Sequence, residues 1–245
     1  MGERWRRPPA EPALPAGEVH VWRAALERPA VELASLAETL SPEEAERAER
    51  FYFERDRKRF VAGRGILRAL LGRYVGVSPE AIRFQYGPQG KPSLAAGCGD
   101  GTLAFNLSHS HDLALYAFAR RRAVGVDAER LRPLPDAGAM ARRFFSPREV
   151  AALEAAPAGR REAVFLEIWT RKEAYIKALG EGLSRPLRGF SVAMGNERAP
   201  LLHVEGDEAE AERWRLQPLF PDPAYAAAVA VEGGGWRLRR WHMAA

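Results

Sequence analysis

A four-residue pattern, Ser-Pro-x-Glu, occurs twice in this chain, at residues 41–44 and 146–149. Serine is a favoured N-cap, proline is favoured at the first helical position, and the glutamate can close a capping box. Each copy therefore predicts the start of a helix. Both copies follow a predicted strand and precede a longer helix, so we expect two similar halves that arose by duplication.

Hydrophobic periodicity and turn residues predict the remaining elements. Four helices are predicted. A long charged helix begins at 41 and another helix begins at 146, and the other two cover about 60–75 and 160–179. The predicted strands cover about 19–24, 81–86, 103–107, 113–119, 123–129, 190–193, 201–204, 214–219, 225–231 and 236–241. This order predicts an α+β fold of two pseudo-symmetric halves, each with helices packed on a mainly antiparallel sheet.

The predicted division of the chain follows from this repeat. Residues 1–17 are rich in Pro and Ala and are expected to form a disordered lead-in. The N-terminal half is expected to cover 18–121 and the C-terminal half 122–245. Ligands often bind between two such units, so we expect the active site at their interface.

Composition narrows the cellular setting and the partners. No stretch approaches the run of about 18 apolar residues that a membrane span needs, so no membrane role is expected. The single cysteine, Cys98, excludes an intrachain disulfide and suits a reducing cytoplasm. The net charge of +5 favours an acidic partner or a phosphorylated ligand.

Lysine is rare among the cations. Of 37 Lys and Arg residues only four are lysines, namely Lys58, Lys91, Lys172 and Lys177. A lysine carries a compact charge whose pKa can shift, unlike a guanidinium. Three of the four fall inside the motifs described below, which indicates positions that need an ammonium group.

The predicted strand at 123–129 carries two acids on one face. Side chains alternate along a strand, so Asp127 and Glu129 point away from the face of Val124 and Val126. Two neighbouring carboxylates repel each other unless a cation lies between them, and Mg²⁺ prefers such oxygen ligands. An isolated Asp-x-Glu is more often a solvated strand face, so a metal site requires a third ligand.

The helix at 160–179 offers that ligand. Glu173 and Lys177 lie one turn apart on the edge of its apolar stripe, and Lys172 falls inside the stripe. Glu167, Arg171 and Ala174 lie opposite. Charges beside or within a buried stripe need partners, which favours a functional site over an ordinary surface ion pair.

The predicted strands at 103–107 and 113–119 are expected to form a hairpin, whose turn at 108–112 contributes groups that could hold phosphate. Ser108 and His109 supply a hydroxyl and an imidazole beside a turn. A hydrolytic Ser–His dyad is the poorer interpretation, because adjacent residues seldom adopt that geometry. Four arginines on the first-half helices are interpreted in part as a solvated basic face: Arg47, Arg59, Arg64 and Arg68.

Taken together, five motifs resemble the 4′-phosphopantetheinyl transferases, and in particular the longer, pseudo-dimeric type that activates nonribosomal peptide and polyketide synthases. The motifs are GKP at 90–92, FNLSHS at 105–110, GVDAE at 125–129, RFFS at 143–146 and WTRKEAYIKALGEGL at 169–183. The resemblance covers about 19–231. It implies transfer of phosphopantetheine from coenzyme A to a serine of an apo acyl or peptidyl carrier protein, with release of adenosine 3′,5′-bisphosphate.

The resemblance also implies residue roles. Asp127, Glu129 and Glu173 would hold Mg²⁺ on the pyrophosphate, and Lys177 would bind the pyrophosphate and stabilise or protonate the leaving phosphate. Further residues would bind the nucleotide and its phosphates, with Arg59 facing the 3′-phosphate: Arg47, Arg59, Lys91, Ser108 and His109.

The general base is left open by the resemblance. Glu149 matches a position proposed as the base, although its predicted capping role is a sufficient explanation for it, and a water on the metal is the alternative. Glu44 is acidic where related proteins often carry a basic residue. The internal pair of halves predicts a monomer.

Two competing functions remain at this point. One is another metal-dependent phosphotransferase, such as a nucleotidyl transferase, built on the same carboxylates. The other is a basic nucleic-acid-binding protein, suggested by the arginines and six tryptophans. Arginines cluster with aromatic residues only at 236–241, which is also a predicted edge strand, so no nucleic-acid partner is expected.

Overall fold

A computed structural model describes residues 5–9, 11–182, 185–195 and 199–243, with the backbone alone at 200–202. Leu183, the last residue of the longest motif, and residues 1–4 and 10 of the predicted lead-in lie outside the described residues. No helix in the described ranges is long and apolar enough to cross a membrane.

The helices confirm the two predicted starts. They are α1 Ala30–Glu38, α2 Pro42–Glu49, α3 Glu54–Val75, α4 Ala137–Phe144, α5 Pro147–Ala155, α6 Arg161–Leu179 and α7 Glu208–Arg213. Ser41 and Ser146 are N-caps with complete capping boxes, and α6 ends at the left-handed Gly180 as predicted. The helix from 41 was expected to be long but ends at Glu49, and α3 begins earlier than expected, at Glu54.

The strands form two main sheets and a small third one. They are β1 Glu18–Ala25, β2 Phe84–Tyr86, β3 Pro92–Leu94, β4 Leu103–Ser110, β5 Leu113–Arg120, β6 Val124–Arg130, β7 Phe190–Val192, β8 Ala199–Val204, β9 Trp214–Leu219, β10 Tyr225–Glu232 and β11 Arg237–His242. The first sheet has the order β11-β1-β5-β4, the second β6-β10-β9-β8-β7, and β2 pairs with β3. The predicted α+β fold is confirmed.

The layers follow from the burial pattern of the strands. One face of the first sheet packs against α3 and one face of the second against α6. The opposite faces of the two sheets pack against each other through small and branched side chains such as Val21, Ala117, Val126 and Val229. The chain is therefore a sandwich in which the two sheets lie inside and the long helices outside.

The last strand crosses from one half to the other. β11 pairs in parallel with β1, from Glu18 opposite Arg237 to Arg23 opposite His242. The C-terminal end of the predicted second half, 122–245, therefore lies in the sheet of the first half. The sequence could not show this exchange, because an edge strand reads the same whichever sheet it joins.

The predicted disorder of residues 1–17 does not hold for the described part of that segment. The Arg6 amide donates to the Arg240 carbonyl (3.0 Å), and Trp5 Nε1 donates to the carbonyl of Phe220 (2.8 Å). Leu14 is buried in the core beneath α3. The segment covers the free edge of β11, which supplies the backbone partners that composition does not reveal.

Candidate active site

Strand β6 approaches α6 unusually closely. Its residues Val124, Val126 and Ala128 face the other sheet, whereas Asp127 and Glu129 point to the opposite face, as predicted. A Cβ at Gly125 would lie 2.1 Å from the Ala174 carbonyl oxygen of α6, so only glycine fits there. This contact brings the α6 side chains within reach of the β6 carboxylates.

Helix α6 is buried on more sides than its apolar stripe indicates. Arg171 and Ala174, which lie opposite that stripe in sequence, are both buried, because this side of α6 packs on β6 and β10. Arg171 donates to the carbonyls of Glu167 (2.7 Å) and Gly195 (2.6 Å). The helix therefore has a sheet on one side and α4 and α5 on the other.

Three of the predicted site residues meet directly. Asp127 Oδ1 accepts hydrogen bonds from Lys177 Nζ (2.6 Å) and from Ser108 Oγ (2.8 Å). Lys177 Nζ also donates to Ser108 Oγ (3.0 Å). These residues come from α6, β6 and β4, so the junction includes groups from both halves.

The other two carboxylates lie in the electrostatic field of this junction. Burial and the negative charge of Asp127 raise the pKa of Glu173 above its usual range, and the same two causes raise the pKa of Glu129. Asp127 Oδ2 and Glu173 Oε1 are buried without a hydrogen-bond partner. Buried carboxylate oxygens without partners are costly, so this site favours a bound cation.

The arrangement and the chemistry of these groups differ in how well they suit a metal ion. Within the described ranges, no three or more His, Cys, Asp or Glu side chains are arranged so that they could hold a metal ion. The donor chemistry nevertheless fits Mg²⁺, since the unpartnered atoms are carboxylate oxygens. The ligand set Asp127, Glu129 and Glu173 stays a prediction.

A cleft of about 710 Å³ opens beside this junction in the first half. It is lined by side chains from α2, α3, β4 and the β2–β3 connection, and three predicted nucleotide-binding residues are among them: Arg47, Arg59 and His109. Arg59 Nε is buried without a hydrogen-bond partner, and the Arg47 guanidinium lies 5.3 Å from the centre of the Phe60 ring. The cleft is therefore cationic and partly aromatic.

His109 lines this cleft and lies near the positive charges of Lys177 and Arg59. Partial burial lowers the pKa of its imidazole, and the charges of Lys177 and Arg59 lower it further. A neutral imidazole can accept as well as donate a hydrogen bond. This position agrees with contact to a ligand.

Lys91 is placed differently from the other predicted phosphate-binding residues. Its ammonium donates to the Ala178 carbonyl at the end of α6 (2.8 Å) and lies 3.4 Å from the Val124 carbonyl. Burial lowers its pKa to about 8. Its neighbours Gly90 and Pro92 line the cleft, but the lysine itself links the first half to α6.

Glu149 has a structural environment. Its carboxylate accepts from Lys172 Nζ (2.8 and 2.7 Å), from the capping amide of Ser146 (2.8 Å) and from the amide of Val192 (2.9 Å). The residue is 2% exposed. These four contacts do not favour the predicted role as base, which stays a prediction.

Two of the arginines that were interpreted as a solvated face are buried. Glu44 accepts from Arg68 Nε (2.6 Å), its other oxygen lies 2.7 Å from Arg64 Nε as an ion pair, and Arg64 donates to the Tyr86 hydroxyl. Glu44 therefore offsets the charge of two buried arginines of helix α3. Periodicity could not show this, because Arg64 and Arg68 have the polar character of surface residues.

Asn106 and Ser110, which were not among the predicted site residues, also contact β6. Asn106 Oδ1 accepts from the Val126 amide (2.9 Å), and Ser110 Oγ accepts from the Arg130 amide (3.1 Å). Polar residues at every second position of 105–110 were the available signal, since they place one polar face along β4.

Comparison with known proteins gives a consistent family. Residues 123–230 match the 4′-phosphopantetheinyl transferase superfamily, and residues 22–120 match the family described as 4′-phosphopantetheinyl transferase, N-terminal. The 4′-phosphopantetheinyl transferase HetI of Nostoc sp. is 43% identical over 97% of this chain and 98% of its own. The 4′-phosphopantetheinyl transferase Sfp of Bacillus subtilis is 34% identical over 78% and 82%.

Among solved structures, the holo-[acyl-carrier-protein] synthase of Thermotoga maritima overlaps 45% of this chain and 62% of its own, with a TM-score of 0.37 and 22% identity. The sequence matches extend over both halves and over nearly the whole length of the Nostoc relative. This chain therefore belongs to the 4′-phosphopantetheinyl transferases, as a member of their longer type.

Proposed function

We propose that this enzyme uses Mg²⁺ to transfer the 4′-phosphopantetheine group of coenzyme A to a serine of an apo acyl or peptidyl carrier protein, releasing adenosine 3′,5′-bisphosphate. The observation that carries this proposal is the junction of Asp127 and Lys177 beside the cationic cleft. A pyrophosphate fits this junction because an ammonium and an acid that can hold a cation lie together. A phosphorylated nucleotide fits the arginines of the cleft.

The cleft is the proposed binding site for the nucleotide end of coenzyme A. Arg59 is proposed to face the 3′-phosphate, because it lines the cleft, its Nε has no hydrogen-bond partner among the described residues and its ion pair with the exposed Glu27 is a long contact of 3.5 Å. Arg47 lies nearby, and Ser108 and His109 contact the phosphates where the cleft reaches the junction. Lys91 would reach a phosphate only by leaving the Ala178 carbonyl.

Asp127, Glu129 and Glu173 would hold the magnesium ion. When bound, Mg²⁺ neutralises pyrophosphate charge and orients the phosphate for displacement. Three neighbouring carboxylates repel one another, and the Lys177 ammonium reduces this repulsion because it pairs with Asp127. Phosphoryl transfer depends mainly on such positioning and neutralisation.

The reaction is a displacement at the phosphorus that carries pantetheine. The carrier serine oxygen bonds to this phosphorus while the bond to the bridging oxygen breaks, and the nucleotide leaves with the electron pair. Lys177 stabilises or protonates the leaving oxygen, and the serine proton passes to a base. Glu149 matches the position predicted for the base, but its pairing with Lys172 does not favour that role, and the Glu149→Gln variant decides it.

The decisive experiment incubates the protein with coenzyme A, MgCl₂ and several apo carrier proteins, including carriers of nonribosomal peptide and polyketide synthases, and measures intact mass. We expect a gain of one phosphopantetheine per carrier that depends on the carrier serine and is abolished by EDTA. Asp127→Ala should remain folded and give no product. The absence of any gain on every carrier, with turnover of a nucleoside triphosphate instead, would support a nucleotidyl transferase.

Two further properties stay predictions. The internal pair of halves already brings β4 and β6 together, so we propose that the enzyme acts as a monomer. Light scattering at working concentration tests this, and a stable dimer would contradict it. The cytoplasmic location predicted from the single cysteine is tested by cell fractionation.

A further inference from the structure

Strands β4 and β6 lie side by side although they belong to different sheets. Three side chains of β4 take the place of backbone acceptors for β6. The Val126 amide donates to Asn106 Oδ1 (2.9 Å), the Ala128 amide to Ser108 Oγ (3.3 Å) and the Arg130 amide to Ser110 Oγ (3.1 Å). We call these three contacts the side-chain ladder.

The two serines of the ladder make a second contact that Asn106 does not. Ser108 Oγ donates to Asp127 Oδ1 (2.8 Å), and Ser110 Oγ donates to Glu129 Oε2 (3.1 Å). In both cases the serine bonds the carboxylate of one residue and the amide of the next. The arrangement repeats after two residues because that is the side-chain period of a strand.

The double contact fixes the direction of each hydroxyl proton. A serine hydroxyl has one proton and two acceptor positions. Since a backbone amide of β6 already donates to the oxygen, the proton is available for the carboxylate. Each carboxylate is thereby held at one oxygen, while the second oxygen of Asp127 stays buried and unpartnered.

We propose that Ser108 and Ser110 are positioning residues that orient the Asp127 and Glu129 carboxylates for the cation, so that the first half sets the geometry of a site whose acids come from the second. This inference rests on the proposed function and extends it to residues outside the ligand set. Groups that bond metal ligands typically change metal affinity by about 10–100-fold when removed.

Ser110 gives the cleaner test of the two serines. Ser108 also contacts Lys177 and is a predicted nucleotide contact, so its removal changes several things at once. Asn106 is the matched control, because it makes the same kind of amide contact to β6 but no carboxylate contact. A general shift of β6 would affect both variants, whereas a loss of carboxylate orientation affects only Ser110→Ala.

The experiment measures Mn²⁺ binding by electron paramagnetic resonance of free Mn²⁺, with the full chain and saturating coenzyme A. We expect Ser110→Ala to bind Mn²⁺ about tenfold more weakly than wild type. Asn106→Ala should bind within about twofold of wild type but unfold at a lower temperature, because a buried amide loses its acceptor. Ser110→Thr retains the hydroxyl and should recover most of the affinity.

Ser110→Cys provides a second loss variant of similar size, should the alanine variant fold poorly. Unchanged Mn²⁺ affinity in the folded loss variants overturns the proposal, and so does an equal loss in Asn106→Ala. If the wild type loads carriers and Ser110→Ala binds Mn²⁺ as tightly as the wild type does, only the positioning role is refuted. A wild type that neither binds Mn²⁺ nor loads any carrier refutes the proposed function itself.

Discussion

The two halves of the chain use one structural device twice. Glu44 accepts from the capping amide of Ser41 and from Arg68 of α3, and Glu149 accepts from the capping amide of Ser146 and from Lys172 of α6. In each half the same cation also donates to a backbone carbonyl that follows the long helix. Arg68 donates to the Ile82 carbonyl and Lys172 to the Phe190 carbonyl. The capping box thus joins a short helix, a long helix and the following segment.

The halves differ in what the long helix carries toward the site. Arg68 and Lys172 each lie about two turns before the left-handed glycine that ends the helix. Counted from the same glycines, Glu173 and Lys177 of α6 correspond to Ala69 and Arg73 of α3. The second half therefore supplies the acid and the ammonium of the site, whereas α3 contributes Arg59 to the wall of the cleft.

This comparison separates structure from chemistry. Both halves have a glutamate that accepts from a capping amide and from a cation of the long helix, but α3 carries Ala69 and Arg73 where α6 carries Glu173 and Lys177. The contacts of Glu149 are thus accounted for by the architecture shared with Glu44, and the residues that distinguish α6 from α3 are the ones to test for catalysis.

The largest effect is expected from Glu173→Ala, which gives α6 the residue of α3 at that position. Loading of carrier protein should fall at least about a hundredfold, since a metal contributes several kcal/mol to transition-state stabilisation. The free energy of unfolding should not fall, because a half-buried carboxyl with an unpartnered oxygen is removed. Time courses of intact mass and urea unfolding measure the two quantities.

The matched control for that variant is Glu167→Ala on the same helix, where the glutamate pairs with an exposed arginine, Arg160. It should load carriers at the wild-type rate. A Glu173→Ala enzyme within twofold of wild type would remove Glu173 from the proposed site.

Glu149→Gln and Glu44→Gln test whether the two capping boxes are equivalent. Each should lose about 3 kcal/mol of unfolding free energy in urea, because a buried cation loses its charged partner. At a temperature where both variants are folded, kcat should stay within about tenfold of wild type. A loss of kcat far beyond that in Glu149→Gln alone, with stability retained, would make Glu149 the base.

Lys177→Arg gives α6 the residue that α3 carries at the corresponding position, Arg73. We expect kcat to fall about tenfold, equivalent to about 1.4 kcal/mol, because a planar guanidinium cannot replace the ammonium between Ser108 and Asp127. Single-turnover loading measures this step. Lys58→Arg, at an exposed ion pair with Glu54, is the control, and equal rates in both variants would contradict a specific contact of Lys177.

The smallest effect concerns the ends of the two long helices. Arg120 of the same half bonds the Tyr74 carbonyl near the end of α3, whereas Lys91 of the other half bonds the Ala178 carbonyl near the end of α6. Burial lowers the pKa of Lys91 from 10.5 to about 8. Between these values the unfolded chain binds more protons, so the unfolding free energy should rise with pH.

Chemical unfolding from pH 7 to pH 10 measures this contribution as a difference between wild type and Lys91→Met. The control variant Lys91→Arg keeps its charge over this range and should resemble Lys91→Met in slope. A wild-type stability that falls relative to Lys91→Met over the same range would show the opposite sign and contradict the buried ammonium.

Local signals in the sequence determined the secondary structure at several places. The caps at Ser41 and Ser146 and the stop at Gly180 were predictable because capping depends on residues within one turn. The alternation around Asp127 was predictable for the same reason, since a strand has a fixed period. The short helices α1, α4 and α7 were not predicted, because they have nine, eight and six residues and helices that short depend on tertiary packing for their stability.

Contacts between distant segments were decided only by the tertiary structure. Gly125 is required by the approach of α6, Lys172 and Glu149 form a buried pair, and the side-chain ladder joins two sheets. The sequence alone identified Asp127, Glu129, Glu173 and Lys177 as chemically unusual, because neighbouring carboxylates on a strand repel each other and charges beside an apolar helix stripe need partners. It could not name those partners, since burial and distance depend on how separate elements pack.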